Sequence, residues 1–141
     1  MEMLEDRQTK GFGATGAGVG LEKRISFLEQ SDRQFLAVMM RGTLTHRQAS
    51  ELLGMAPGTI TRRLRRLMAR LNDPLVVALV ENGALLPEGY RDVGLAYFLR
   101  GMTAIQISRA AGVSVYEVKR ELEYVRGWHG GKRVKTRRMI V

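Results

Sequence analysis

Between Ala56 and Leu71 the chain places Thr59, Thr61, Arg62, Arg63, Arg65, Arg66 and Arg70 with no acidic residue among them. A guanidinium group offers a planar fork of donors that matches a phosphate, or the O6/N7 edge of guanine, and a threonine hydroxyl can bond either groove edge or backbone. These residue types in this density suit recognition of a polyanion, not bond making. Catalytic chemistry has little to draw on. The chain has two histidines, His46 and His129, and no cysteine. Neither histidine has cysteine, histidine or paired carboxylates near it at metal or triad spacing. No enzyme activity, no metal and no cofactor is expected.

Charge agrees with that reading. The 141 residues carry 23 Lys+Arg against 14 Asp+Glu, a net charge of +9, which calls for a polyanionic partner. Nucleic acid leads, and an acidic membrane surface is the weaker candidate. The excess sits in two short segments: five arginines within Ala56 to Leu71, and Lys132, Arg133, Lys135, Arg137 and Arg138 within Gly127 to Val141. The longest apolar run, Leu75 to Val80, is too short to cross a bilayer. The polar, acidic start does not read as a targeting signal. A cytoplasmic protein (bacterial cytoplasm or nucleoid, with no membrane partner, and with a phage origin open) is the expectation.

The arginines need a helix to hold them, and the local sequence supplies one. Thr45 is a good N-cap and Gln48, three residues on, completes a capping box. Ala49, Leu52 and Leu53 form the buried side of that first helix, and Gly54 can leave it in the left-handed region without steric cost. Pro57 falls at the first position of the next helix, where its missing N–H costs nothing. Ile60, Leu64, Leu67 and Leu71 then mark one helical face. The result is a helix-turn-helix whose second helix suits a major groove.

Elsewhere the pattern is less specific. Residues 1–20 turn into GFGATGAGVG, which reads as a flexible arm. Gly11, Gly13 and Gly16 match GxGxxG literally, but no strand precedes them and no acidic partner follows in a βαβ unit. From Leu21 a helical pattern either runs on or breaks near Ser31-Asp32 and restarts. Phe35, Leu36, Val38 and Met39 form an apolar helix ending at Arg41-Gly42. Dimerisation through Leu21 to Leu28 stays open. Asp73 and Pro74 look like N-cap and N1 of a short buried helix closing at Asn82-Gly83, with a loop at Leu86 to Gly89.

A second unit then copies the first. LAVMMRG (Leu36 to Gly42) aligns with LAYFLRG (Leu95 to Gly101) at a shift of 59, with four identities. Thr45 to Leu67 aligns with Thr103 to Val125 at a shift of 58, with six identities that include both caps and both turn glycines. The copy differs chemically. Between Val115 and Arg126, Lys119, Arg120 and Arg126 are balanced by Glu117, Glu121 and Glu123, so this helix either reads bases weakly or docks protein. Tyr116, Tyr124 and Trp128 suit either role, with core or rim packing favoured for the last two.

The string from Leu44 to Leu67, LTHRQASELLGMAPGTITRRLRRL, resembles region 4 of bacterial RNA-polymerase sigma factors, the part that reads the −35 promoter element. The second copy resembles it more distantly, and nothing matches region 2, so a complete sigma factor is not expected. The resemblance implies base and phosphate contacts from Pro57, Gly58, Thr59, Thr61, Arg62, Arg63, Arg65 and Arg66, with Thr45 and Gln48 approaching the backbone. Tyr116, Lys119 and Arg120 in the copy, and Lys132 and Arg133 in the tail, complete the expected DNA-binding set. The expected fold is all-α: a flexible arm (1–20), a three-helix helix-turn-helix unit (21–72), a linker with a short helix (73–89), a second such unit (90–128) and a basic tail (129–141). The expected function is sequence-specific double-stranded DNA binding in transcription regulation. The alternative is an adaptor that contacts RNA polymerase or another regulator through the second unit, with nonspecific DNA affinity.

Overall fold

The computed structural model describes residues 20–140, with side chains through residue 130. The expected flexible arm and its Gly11, Gly13 and Gly16 lie outside the described residues, as do the side chains of Lys132 and Arg133. The fold is all-α: eight helices and one 3-10 turn, with no strand among the described residues. The chain divides into two compact units at Asn72/Asp73.

The first unit holds α1 (Leu21–Ile25), α2 (Gln30–Met39), α3 (His46–Leu53) and α4 (Pro57–Leu71), four helices where three were expected. The break after the first pattern falls at residues 26–29, earlier than Ser31-Asp32. The Ser26 hydroxyl donates to the Lys23 carbonyl there, and Asp32 lies in the first turn of α2, where its charge suits the helix dipole. Leu21, Leu28, Phe35, Leu36, Ala49, Ile60, Leu67 and Leu71 are all buried. Arg24 is buried as well, at 1% exposure. Its Nε donates to the Leu71 carbonyl at 2.7 Å, satisfying a group that the end of α4 would otherwise leave without an intrahelical donor.

The second unit holds α5 (Pro74–Asn82), the 3-10 turn Gly83–Leu85, α6 (Tyr90–Phe98), α7 (Ala104–Ala111) and α8 (Val115–Ile140). Asp73 caps α5 through the Leu75 N–H at 2.8 Å, with Pro74 at the first helical position. The segment expected as a linker is part of this unit. Its Leu79 packs so closely on Gly94 that a Cβ at Gly94 would meet Leu79 Cδ1 at 3.0 Å and Val125 Cγ1 at 3.5 Å. Gly94 aligns with Phe35 of the first unit, so a leucine from α5 fills the space that an aromatic ring occupies there. Arg91 ties the two helices further, donating from Nε to the Leu79 carbonyl at 3.1 Å and from Nη2 to the Val80 carbonyl at 2.9 Å.

Gly83 does not close α5 in the left-handed region. Its φ is −63° and the chain continues into the 3-10 turn; the Arg91 side chain lies where a Cβ at this position would be, 2.7 Å away at its nearest carbon. The basic tail also differs from expectation: α8 carries helical backbone through Ile140, across Gly127, Gly130 and Gly131.

Candidate nucleic-acid interface

The turn between α3 and α4 is built from local bonds that the sequence encodes. Thr45 Oγ1 accepts from the Gln48 N–H at 3.0 Å, and Gln48 Oε1 accepts from the Thr45 N–H at 2.9 Å. Gly54 leaves α3 at φ 66°, a region that costs a Cβ-bearing residue steric strain. The Met55 N–H donates to the Ser50 carbonyl at 3.1 Å, and the Ser50 hydroxyl bonds back to the Met55 carbonyl. Pro57 opens α4, and no side chain caps its first turn.

The second unit repeats these bonds at matching positions. Thr103 and Gln106 form the same reciprocal box, at 3.2 and 2.9 Å. Gly112 has φ 71°, and the Ser108 hydroxyl donates to the Val113 carbonyl as Ser50 does to Met55. The glycines before each pair, Gly42 and Gly101, have φ of 74° and 75°. Ile60 and Val118 are both fully buried. Ser114 Oγ accepts from the Glu117 N–H at 3.1 Å, while the Glu117 carboxylate lies toward Arg120 at 3.6 Å instead of closing the box.

With Ile60, Leu67 and Leu71 turned inward, helical geometry puts Gly58, Thr59, Arg62, Arg65, Arg66 and Ala69 on the opposite stripe of α4. All six are exposed. Among the described residues, Arg62, Arg65 and Arg66 form no ion pair, and Arg62 Nη2 makes a long contact of 3.4 Å to Thr59 Oγ1. The stripe therefore presents three guanidinium groups and a hydroxyl to solvent. Pro57 is also exposed at the start of the helix, and the first-turn N–H groups of α4 add partial positive charge.

Two of the expected contact residues are used within the unit. The Arg63 side chain is about three-quarters buried, with Nη2 donating to Asp32 Oδ1 at 2.8 Å and its guanidinium 4.5 Å from the centre of the Phe35 ring. It also approaches the Met55 sulfur at 3.8 Å. The Thr61 hydroxyl donates to the Pro57 carbonyl at 3.1 Å, a backbone bond within its own helix. Thr45 and Gln48 are similarly engaged in the capping box, although Gln48 is exposed.

The matching stripe of α8 carries other chemistry. Tyr116 stands at the place of Gly58, Glu117 at Thr59, Arg120 at Arg62, Glu123 at Arg65 and Tyr124 at Arg66. Tyr116 and Tyr124 are 75% and 53% exposed. Arg120 and Glu117 form one exposed pair, and Glu123 forms another with Arg126 at 2.9 Å. Arg126 also lies 5.3 Å from the Phe98 ring centre, and Tyr124 meets Tyr90 edge-on at 5.2 Å. Lys119 is exposed on the flank of the stripe. The positions of the Arg63–Asp32 pair are occupied by residues of the opposite sign, Glu121 and Arg91, and Arg91 donates to the Leu79 and Val80 carbonyls. Burial and the neighbouring Glu117 raise the Glu121 pKa above the usual glutamate value, with Arg120 opposing.

Sequence patterning did not single out Arg24, Arg91 or Gly94. Spacing alone gives no sign that a cation caps another helix or that a glycine receives a leucine from a distant element. Among the described residues no cluster of His, Asp or Glu could hold a metal ion, and no helix is long and apolar enough to cross a membrane. An open cleft of about 500 Å³ in the second unit is lined by Ala78, Asn82, Leu85, Trp128 and His129; its single ionisable group has no acid–base partner in that lining. No protein-family model, curated protein or solved structure matches the chain.

Proposed function

We propose that this protein is a sequence-specific double-stranded DNA-binding regulator of transcription, built of two helix-turn-helix units in tandem and acting in the bacterial cytoplasm or nucleoid. In this reading α3, the Gly54 turn and α4 resemble sigma region 4, and α4 enters the major groove. Arg62, Arg65 and Arg66 are shared between phosphates and guanine edges, and Thr59 is the better placed threonine for a base edge. The observation that carries the reading is the exposed α4 stripe, with three arginines and no acid. Within the second helix of each pair, residues 57–71 hold five basic residues and no acid, whereas residues 115–126 hold three basic and three acidic residues. That asymmetry supports assigning most of the DNA affinity to the first unit.

The second unit has a second reading, as a protein adaptor. Glu117 and Glu123 would meet phosphates at places where the first unit offers Thr59 and Arg65, and carboxylates there lower affinity for a duplex. RNA polymerase is one partner that the sigma resemblance brings to this reading. The test is selection of bound sequences from a random duplex pool by the full chain, followed by gel shift of the selected site. Enrichment of a defined site that is lost in Arg62→Ala/Arg65→Ala/Arg66→Ala supports the proposal. A pool that stays random, or binding indifferent to that triple change, overturns it.

A further inference from the structure

The one tryptophan of the chain, Trp128, is half-buried and stands one helical turn past Val125, the last core residue of α8. With His129 it lines the open cleft of about 500 Å³ whose other wall is Ala78 and Asn82 of α5 and Leu85 of the 3-10 turn, a size usual for small-ligand sites. Leu85 is 80% exposed there, an apolar group that the unit's own packing leaves uncovered. The Asn82 amide, the Trp128 indole N–H and the His129 imidazole make no hydrogen bond among the described residues. No Lys, Arg, Asp or Glu lines the cleft, so it selects neither an anion nor a cation. An indole beside a free amide, with aliphatic neighbours and no charge, suits a planar ring with donors and acceptors along its edge. A nucleobase is such a ring: it stacks on an aromatic side chain and is bonded through its edge.

Positive charge for phosphates follows directly in the chain. From Gly127 to Val141 the sequence carries Lys132, Arg133, Lys135, Arg137 and Arg138 and no acid. The backbone of α8 is helical through Ile140, so these residues follow Trp128 by about 6 to 15 Å of helix axis, at a rise of about 1.5 Å per residue. We propose that the cleft takes an unpaired base of a single nucleic-acid strand, stacked on Trp128 with its edge bonded to Asn82, while the basic run beyond it neutralises the strand's phosphates. A stacking surface next to a run of cations is what binds single strands with little regard to sequence, because every base has a π face. This inference concerns α5 and the end of α8 and does not rest on what α4 binds.

The test uses the full-length Arg62→Ala/Arg65→Ala/Arg66→Ala protein, so that the α4 stripe contributes nothing to the signal. The probe is a mixed-sequence DNA single strand of about 12 nucleotides, within the span of known single-strand sites. Its binding is followed by anisotropy of a labelled strand and by the emission of Trp128, which as the sole indole reports on the cleft directly. The expected result is saturable quenching of Trp128. Adding Trp128→Ala weakens strand binding by roughly 5- to 150-fold, the worth of one stacked base, and Trp128→Phe restores most of it. Adding Asn82→Ala also weakens binding, and an abasic strand of the same length binds at least fivefold more weakly. Circular dichroism melts matching the parent check folding; should Trp128→Ala fail to fold, the exposed Asn82→Ala change and the abasic strand decide. Strand binding that leaves Trp128 emission unchanged overturns the proposal, as does an abasic strand that binds equally well. Free adenosine binding as tightly as the strand overturns it too, since the cleft would then be a nucleoside pocket without need of the basic run.

Discussion

Replacing Arg63 by alanine should weaken the fold and leave the salt dependence of DNA binding almost untouched, whereas its neighbours should do the reverse. Arg63 donates to Asp32 at 2.8 Å with both side chains about three-quarters or more buried, and its guanidinium packs 4.5 Å from the Phe35 ring centre. Removing it strands a partly buried carboxylate and a cation–π contact, a loss of about 2 kcal/mol. For a unit of this size that lowers the first melting transition by roughly 10 °C. Arg62, Arg65 and Arg66 have no ion pair to lose among the described residues. If each neutralises one phosphate, together they set a slope of about −2.7 in log affinity against log salt. That is shallower than the slope of about −4 expected if four or five arginines of the helix were free. Between about 50 and 200 mM salt the parent should lose roughly 40-fold more affinity than the triple alanine variant. The assay is fluorescence anisotropy on one duplex across a salt series, paired with calorimetry of the same proteins. A triple variant with the parental slope refutes the placement of α4 against phosphates. An Arg63→Ala protein that melts like the parent but loses slope refutes the structural assignment of Arg63.

Other outcomes follow from the second unit and the turns. Leu79→Ala should cost about 2–5 kcal/mol, because it empties the space above Gly94, and denaturant melts should show the loss in the second unit's transition. Gly54→Ala and Gly112→Ala should each cost on the order of 1 kcal/mol from the left-handed backbone alone, since nothing lies within 4 Å of either added Cβ. Thr45→Ala and Thr103→Ala should each lose roughly 1 kcal/mol as their capping boxes open, seen as earlier urea midpoints. For Glu121 the folded pKa is raised, so the native state holds more proton than the unfolded chain just above the usual glutamate range. Stability therefore falls as pH rises through that window, and Glu121→Gln should flatten this part of the pH–stability curve. A parent whose stability rises there, with the variant unchanged, contradicts the burial of that carboxyl.

Much of this molecule is local and so is readable in the chain itself. The capping boxes at Thr45 and Thr103, the glycine exits at Gly54 and Gly112, Pro57 and Pro74 at helix starts, and the spacing of Ile60, Leu64, Leu67 and Leu71 are decided within a few residues of one another. Backbone sterics and short-range hydrogen bonds are enough to set them. The repeat is legible for the same reason, and so is the lack of acid along α4. Which arginines face solvent is not local. Arg63 and Arg66 look alike in the sequence, yet one meets Asp32 from another helix and the other does not; Arg24 and Arg91 spend their charge on helix ends far along the chain. The role of α5 was hidden likewise, because a short apolar helix reads as a linker until Leu79 is seen on Gly94. Burial and pairing depend on which elements meet, and that is decided by packing across long sequence separations, where a one-dimensional pattern carries no distance information.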